Sequence, residues 1–451
     1  MKLSKNDKVK LNIDALTSEG SGIGRYDGIA VFVRGTVPGD EIIAHIIKTS
    51  KNYAIGIIDE IVTPSASRME SDCLHSKKCG GCSFRHMTYA EELKYKISRV
   101  NDALERIGHL DIKADEIIGA DELNGYRNKA QYPVNICDGE LFAGFYAYKS
   151  HRIIPCADCK LQPAEFEKGI QAFAEWADKC NITSYDEETG KGFLRHIYFR
   201  KGFGTGEIMA CAVINANHIP QPDLLVSLLN RKIPSLKSVV LNINKEKTNV
   251  ILGEKSVTLW GEDYISDILL GKRFVISPNS FYQVNHSQCE KLYKKAAEFA
   301  DLKGSEVLLD LYCGVGTIGL TMADRVNKLV GIEIIPQAIQ NAKKNAELNH
   351  IKNAQFICAD APKGAEILKK QGIKPDVIIL DPPRKGCDKT LFDTIEKMSP
   401  NRIVYVSCDS ATLARDLQIL TSKGYCAEKV AAVDMFPRTP HVECVARISK
   451  E

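Results

Sequence analysis

The alternation of apolar and polar residues changes its rhythm along this chain. Over residues 1–63 it has period two, in short runs: Val9-Lys10-Leu11-Asn12-Ile13, Ile29-Ala30-Val31-Phe32-Val33, Glu41 to Ile47 and Ala54 to Ile58. Successive strand side chains face opposite ways, so such runs, punctuated by glycines and by Pro38-Gly39-Asp40, predict a small β-barrel. Pro64-Ser65-Ala66-Ser67 reads as a linker. Residues 70–265 form a second, β-rich segment. It begins with a cysteine-rich loop and a helix predicted from Tyr89 to Ile107. Further on, Arg195–Arg200 and Gly206–Val213 flank a glycine-rich turn as the arms of a hairpin. Over 270–451 apolar strands alternate with helical stretches, which predicts an α/β domain with a parallel sheet and crossover connections.

Composition narrows the class of protein without choosing a function. With 451 residues the chain is long enough for two or three domains, each with its own core. Sixty Lys and Arg against 57 Asp and Glu leave a net charge of only +3, which permits a nucleic-acid partner through local patches but does not require one. The start, MKLSKNDKVKLN, is polar, and no apolar run approaches the ~18 residues of a membrane span. A cytoplasmic location is therefore expected. An odd set of 15 cysteines then reads as mostly free thiols, with room for a metal site or a catalytic member.

The chemistry begins at VLLDLYCGVGTIGLTMA (307–323), an apolar strand followed by Gly314-x-Gly316-x-x-Gly319 and a helix. Glycines there let the backbone approach a ligand at the helix N-terminus. A second strand ends in Glu333, nineteen residues after Gly314, where a carboxylate can accept both ribose hydroxyls. A nicotinamide or an S-adenosylmethionine site would look alike to this point. Asp360 and Asp381 end two further strands, and strand-end acids gather at the carboxyl edge of such a sheet, although each alone is equally a helix N-cap. The Asp381-Pro382-Pro383 turn resembles the substrate-facing corner of class I methyltransferases, and favours methyl transfer.

IVYVSCDSATLARDL (403–417) is the next strand and helix, with Cys408 at the turn. A thiol near a helix N-terminus is expected to have a lowered pKa. In DMFPRTPHVECVARI (434–448), Glu443 opens an alternating strand two residues after His441, and apolar neighbours should raise its pKa. A methyl donor, a thiolate and a carboxylate together suit methylation of uracil at carbon 5. The thiolate adds at carbon 6, and a base later removes the carbon 5 proton.

FYQVN (281–285), LDLYCGVGTIGL (309–320), DPPRKG (381–386), VSCDSATLARDL (406–417) and FPRTPHVE (436–443) together resemble the RNA uracil-5-methyltransferases. Glu19-Gly20-Ser21-Gly22-Ile23-Gly24-Arg25 with Val37-Pro38-Gly39-Asp40 resembles the TRAM domain, an RNA-binding barrel, and the whole chain is most similar to the 23S rRNA branch. The resemblance implies a class I, Rossmann-like methyltransferase domain over 270–451. It also implies that Cys408 is the nucleophile, that Glu443 is the base, and that Gln283, Tyr312, Gly314, Glu333 and Asp381 bind S-adenosylmethionine. Ser410 stands where many relatives have proline.

Cys73-x5-Cys79-x2-Cys82, with Cys156 and Cys159 far along the chain, suits zinc or a [4Fe–4S] cluster by spacing alone. The resemblance implies the cluster, with Cys159 as fourth ligand. NGYRNKAQY (124–132) mixes cations, aromatics and amides and resembles the substrate-contacting segment of the family, with Arg127 beside the target base. Arg384 and Lys385 are expected at phosphates. The expected partner is RNA, 23S rRNA first, with no membrane and no obligate protein partner.

Overall fold

The computed structural model describes residues 3–137 and 139–451. Near the N-terminus, strand Lys8–Asn12 alternates exposed and buried residues, and it pairs antiparallel with Glu41–Thr49. A six-stranded sheet results, curled around Val9, Leu11, Val31, Val33, Ile42 and Ile46. Burial of one face of each strand, at roughly 25 cal/mol per Å² of apolar surface, holds the barrel together.

The middle segment carries a seven-stranded sheet. Leu194–Lys201 pairs antiparallel with Ile208–Ile214, as the hairpin pattern predicts, and also with Lys129–Cys137. Both central strands are buried nearly throughout, and helices Ala164–Lys179 and Pro222–Lys232 cover one face, with Phe166, Phe173, Trp176 and Phe199 in the core.

The C-terminal sheet has eight strands. Ala354–Cys358, Lys328–Glu333, Val307–Leu311, Val377–Leu380 and Arg402–Ser407 run parallel in that spatial order. Glu443–Lys450 then lies antiparallel to Arg402–Ser407, and Tyr425–Val433 antiparallel to Glu443–Lys450. This is the class I methyltransferase architecture, with β-rich parts before it.

One contribution comes from the segment expected to lie within the middle domain. Strand Ala114–Ile118 joins the far edge, parallel to Tyr425–Val433. Helix Tyr89–Arg106, capped by the Thr88 side chain, packs beside the sheet and buries Val100 and Leu104 in the same core as Leu413 and Leu417. Covering the edge strand removes unpaired main-chain groups from solvent. Among the described residues, no helix is long and apolar enough to cross a membrane.

Candidate active site

The glycine-rich turn after Val307–Leu311 is set by backbone shape. Gly314 and Gly316 adopt φ of 55° and 84°, and Tyr312 takes φ 64° despite its side chain. Left-handed backbone is unfavourable for a bulky residue and marks a functional turn. Gly319 must be glycine for a different reason, since a Cβ there would meet Asp310 Oδ2 at 2.8 Å. Its N–H instead donates to that oxygen at 2.9 Å, while burial pushes the Asp310 carboxyl up to about 7.

Glu333 closes the turn from the next strand, accepting from the N–H groups of Gly314 at 3.2 Å and Ile335 at 2.9 Å. A cavity of about 520 Å³ opens here, lined by Tyr312, Glu333, Ile334, Asp360, Pro362 and Leu391 among others. Ile334 is 65% exposed beside it, an apolar surface available to a planar ring. Asp360 both lines the cavity and caps helix Ala361–Lys370 through Lys363 N–H, so the two expectations for it coexist. Gly314, Gln283 and Asp381 do not line this cavity. Gln283 is buried, and its carbonyl accepts from Asn128 Nδ2 at 2.8 Å.

Cys408 and Glu443 meet across the sheet. Ser407 pairs with Cys444, so Cys408 and Glu443 are the next residues outward on two antiparallel neighbours. Asp409 caps helix Ser410–Thr421 by accepting from Thr412 N–H at 2.8 Å, which fixes the turn that displays the thiol. The thiol is not acidified. Burial, then the Glu443 and Asp381 carboxylates, push it up to about 11, against an Arg384 guanidinium that hydrogen-bonds it. Two negative charges and lost solvent outweigh the helix terminus that the sequence suggests. Burial and Asp381 likewise push Glu443 up to about 8, as its apolar neighbours predict, and burial pushes Asp381 up to about 7.

Arg384 therefore stands at the thiol as well as at the expected RNA face. Its loop is sewn down by Thr412 Oγ1, which donates to the Arg384 carbonyl, and by Arg415, which donates to that of Lys385. A Cβ at Gly386, where φ is 78°, would meet Thr412 at 2.3 Å.

Arg127 approaches the same place from the middle segment. It bridges Asn285 through the main chain, and Asn128 N–H donates to the Val284 carbonyl. The expected RNA segment thus pairs with FYQVN. His441 lies among these cations. Burial, then Arg384, Arg99, Lys96 and Arg127, push its pKa down to about 4, leaving it neutral at pH 7.

Sequence reasoning did not find the support beneath this loop. Lys96 Nζ, wholly buried, donates to Glu92 Oε1 at 2.7 Å, to Asp434 Oδ1 at 2.6 Å and to the Phe436 carbonyl at 3.2 Å. Arg438 N–H donates to Glu92, Tyr89 to Asp434, and Arg99 to the Pro440 carbonyl. The only sequence signal is the Glu92–Lys96 spacing, which marks an ordinary helix-surface pair.

The cysteine loop touches the same strap, residues 434–443. Ser83 and Phe84 N–H groups both donate to the Arg438 carbonyl. Cys73, Cys79, Cys82 and Cys159 are close enough to perturb one another, and Gly81 N–H donates to Cys79 Sγ at 3.4 Å. Cys156 hydrogen-bonds Cys159 and also lies within 4.8 Å of ligand atoms on His75 and Asp158. The donor set is thiol-rich and partly buried, which suits a soft metal or an iron–sulfur cluster.

The tRNA (uracil-5-)-methyltransferase profile matches residues 236–451, and the TRAM domain profile residues 4–58. Over 443 residues the chain is 44% identical to an uncharacterized RNA methyltransferase of Clostridium tetani, covering 98% of this chain and 96% of that protein. Identity is 45% over 445 residues to an uncharacterized RNA methyltransferase of Halalkalibacterium halodurans, with coverages of 98% and 97%. Among solved structures, the Pyrococcus abyssi tRNA (uracil-54, C5)-methyltransferase in complex with S-adenosyl-L-homocysteine superposes with a TM-score of 0.79. It is 28% identical and covers 98% of this chain and 100% of its own. With a cavity next to the glycine-rich turn at the sheet edge and a thiol paired with a carboxylate on the same sheet, the chain belongs to the RNA (uracil-5-)-methyltransferase family, as an S-adenosylmethionine-dependent enzyme with an N-terminal TRAM domain.

Proposed function

We propose that this enzyme methylates carbon 5 of a uracil in 23S rRNA, with Cys408 as nucleophile and Glu443 as base. The observation that carries the chemistry is the facing of Cys408 and Glu443 across adjacent strands, with Arg384 on the thiol. Cys408 adds its sulfur to carbon 6, and the electron pair moves into the ring as an enolate. Carbon 5 of that enolate takes the methyl group that S-adenosylmethionine would supply, the sulfonium–methyl bond breaking to leave S-adenosylhomocysteine, and Tyr312, Gly314, Glu333, Gln283 and Asp381 are the proposed contacts of the donor. Glu443 then takes the carbon 5 proton, the carbon–sulfur bond breaks, and Cys408 is released. Arg384 favours the thiolate by charge. Arg127 and Arg99 flank the opening and suit RNA phosphates or the base itself.

The full motif set resembles the ribosomal branch, and this supports 23S rRNA. The second reading is transfer RNA, favoured by the P. abyssi enzyme, whose fold spans the same length. Mapping 5-methyluridine in ribosomal and transfer RNA from a strain lacking the gene decides between them. Loss confined to 23S rRNA is expected; loss confined to tRNA overturns the ribosomal reading.

We also assign Cys73, Cys79, Cys82 and Cys159 as ligands of a [4Fe–4S] cluster. When bound, the cluster would fix the 73–84 loop against Arg438 and so hold the approach to Glu443. Anaerobic purification should give about four iron and four sulfide per chain. Stoichiometric zinc without iron would reject the assignment.

A further inference from the structure

A second cavity, of about 630 Å³, lies in the middle segment, well away from the methyl-transfer site. It sits between strand Lys129–Cys137, hairpin residues 142–155 and the turn at 185–188. Asn135 is six residues along its strand from Lys129, the end nearer Arg127, which at ~3.3 Å per residue is about 20 Å.

The walls are aromatic. Tyr146 and His151 rings lie 5.4 Å apart, and the Arg195 guanidinium stacks 4.2 Å from the centre of Tyr185. Arg195 is 3% exposed. Its Nη atoms donate to the carbonyls of Asn244, Glu246 and Thr248, and Nη2 reaches Glu187 at 3.5 Å. Its Nε has no hydrogen-bond partner among the described residues. That Nε is itself closed off from solvent, so Arg195 serves the cavity as a fixed wall, held by its Nη bonds and by Tyr185.

The charges indicate what fits. Asp186, Glu187 and Glu188 line it with Arg152 and Arg195, and since the Arg195 Nη atoms are already taken by carbonyls and Glu187, the acids outnumber the one cation left at the rim and a phosphate inside is disfavoured. Asp186 is committed to its own turn, accepting from Glu188 N–H, Thr189 N–H and the Thr189 hydroxyl. Glu188 is exposed and has no ion-pair partner among the described residues. A carboxylate only accepts hydrogen bonds, and the Watson–Crick edge of guanine offers two adjacent donors. Arg152 and Lys149, both exposed near the rim, suit the backbone of the same strand.

We propose that this cavity holds an unpaired guanine of the substrate RNA, stacked against Tyr146 and read by Glu188. The inference rests on the enzyme acting on RNA, and is indifferent to the choice between ribosomal and transfer RNA. It would hold a substrate loop at a second point, away from the target uracil.

The test uses the full-length protein and fluorescein-labelled 12-nucleotide oligouridylates carrying one central guanosine, one central inosine or neither, read by fluorescence anisotropy. Guanosine should tighten binding by about tenfold over both others, since inosine lacks the 2-amino donor. Glu188→Gln and Tyr146→Ala should each return the guanosine oligomer to the all-uridine affinity. Cys408→Ala should leave the preference intact, which separates this site from the proposed catalytic one. Equal binding of all three oligomers overturns the proposal, as does a guanosine preference that survives both cavity variants.

Discussion

Replacing Cys408 by alanine is expected to abolish methylation, lowering kcat by on the order of 10⁴-fold or more, and to prevent any protein–RNA adduct. The Cys408 thiol feels both Arg384 and Glu443. Glu443→Gln should act differently. Addition and methyl transfer remain open to it, but the carbon 5 proton has no acceptor, so turnover should fall by roughly 10²–10⁴-fold while a denaturant-resistant adduct accumulates. Gel retention of labelled RNA after boiling in detergent distinguishes the two. Product from the Cys408→Ala enzyme would falsify the scheme.

The pH profile of the wild-type follows from the same pair. Under the proposed mechanism Glu443, pushed up to about 8 mainly by burial, and the Cys408 thiol, pushed up to about 11, must both lose a proton to act. Activity at limiting substrate should therefore rise from pH 6.5 to 9. For Glu443→Gln, the formation rate of the adduct should still rise with pH, because the thiol remains. A flat profile in both would show that neither group titrates as the site geometry requires.

The second large effect is on stability. Lys96→Met should destabilise the protein by about 3–5 kcal/mol, since it leaves Asp434 buried without a cation and Glu92 with only the longer Arg438 ion pair at 3.7 Å. Lys96, Glu92 and Asp434 side chains are all wholly buried, and burial already raises the Glu92 pKa. The loss should concentrate in residues 434–443, seen as faster amide exchange there than in the middle sheet. Glu92→Gln and Asp434→Asn added to Lys96→Met should restore much of the stability by removing the stranded charges. If Lys96→Met melted like the wild-type and exchanged no faster, the strap would not depend on this cluster.

Local patterns made much of the fold legible. The Tyr89–Ile107 expectation matches helix Tyr89–Arg106 because Thr88 and Glu91 supply a start signal and the apolar positions recur on one face. The 195–213 hairpin follows from two apolar runs around a glycine turn. Strand Ala114–Ile118 falls in the segment expected to be β-rich, but nothing in the sequence marked its pairing with Tyr425–Val433, more than 300 residues away. Pattern fixes the type of an element, whereas its neighbour depends on which surfaces remain to be covered.

By itself, the sequence determined the order of elements, the glycine-rich turn, the run of strand-end acids and the identities of the thiol and carboxylate. Each of these is a short-range property, set by side-chain period and backbone freedom. Only the tertiary structure decided that Cys408 and Glu443 are opposite one another, that Arg384 hydrogen-bonds the thiol, and that Lys96 bridges Glu92 to Asp434. Those are long-range meetings of charge inside the protein. Their energies depend on desolvation and on partners from distant segments, quantities that no window of residues contains.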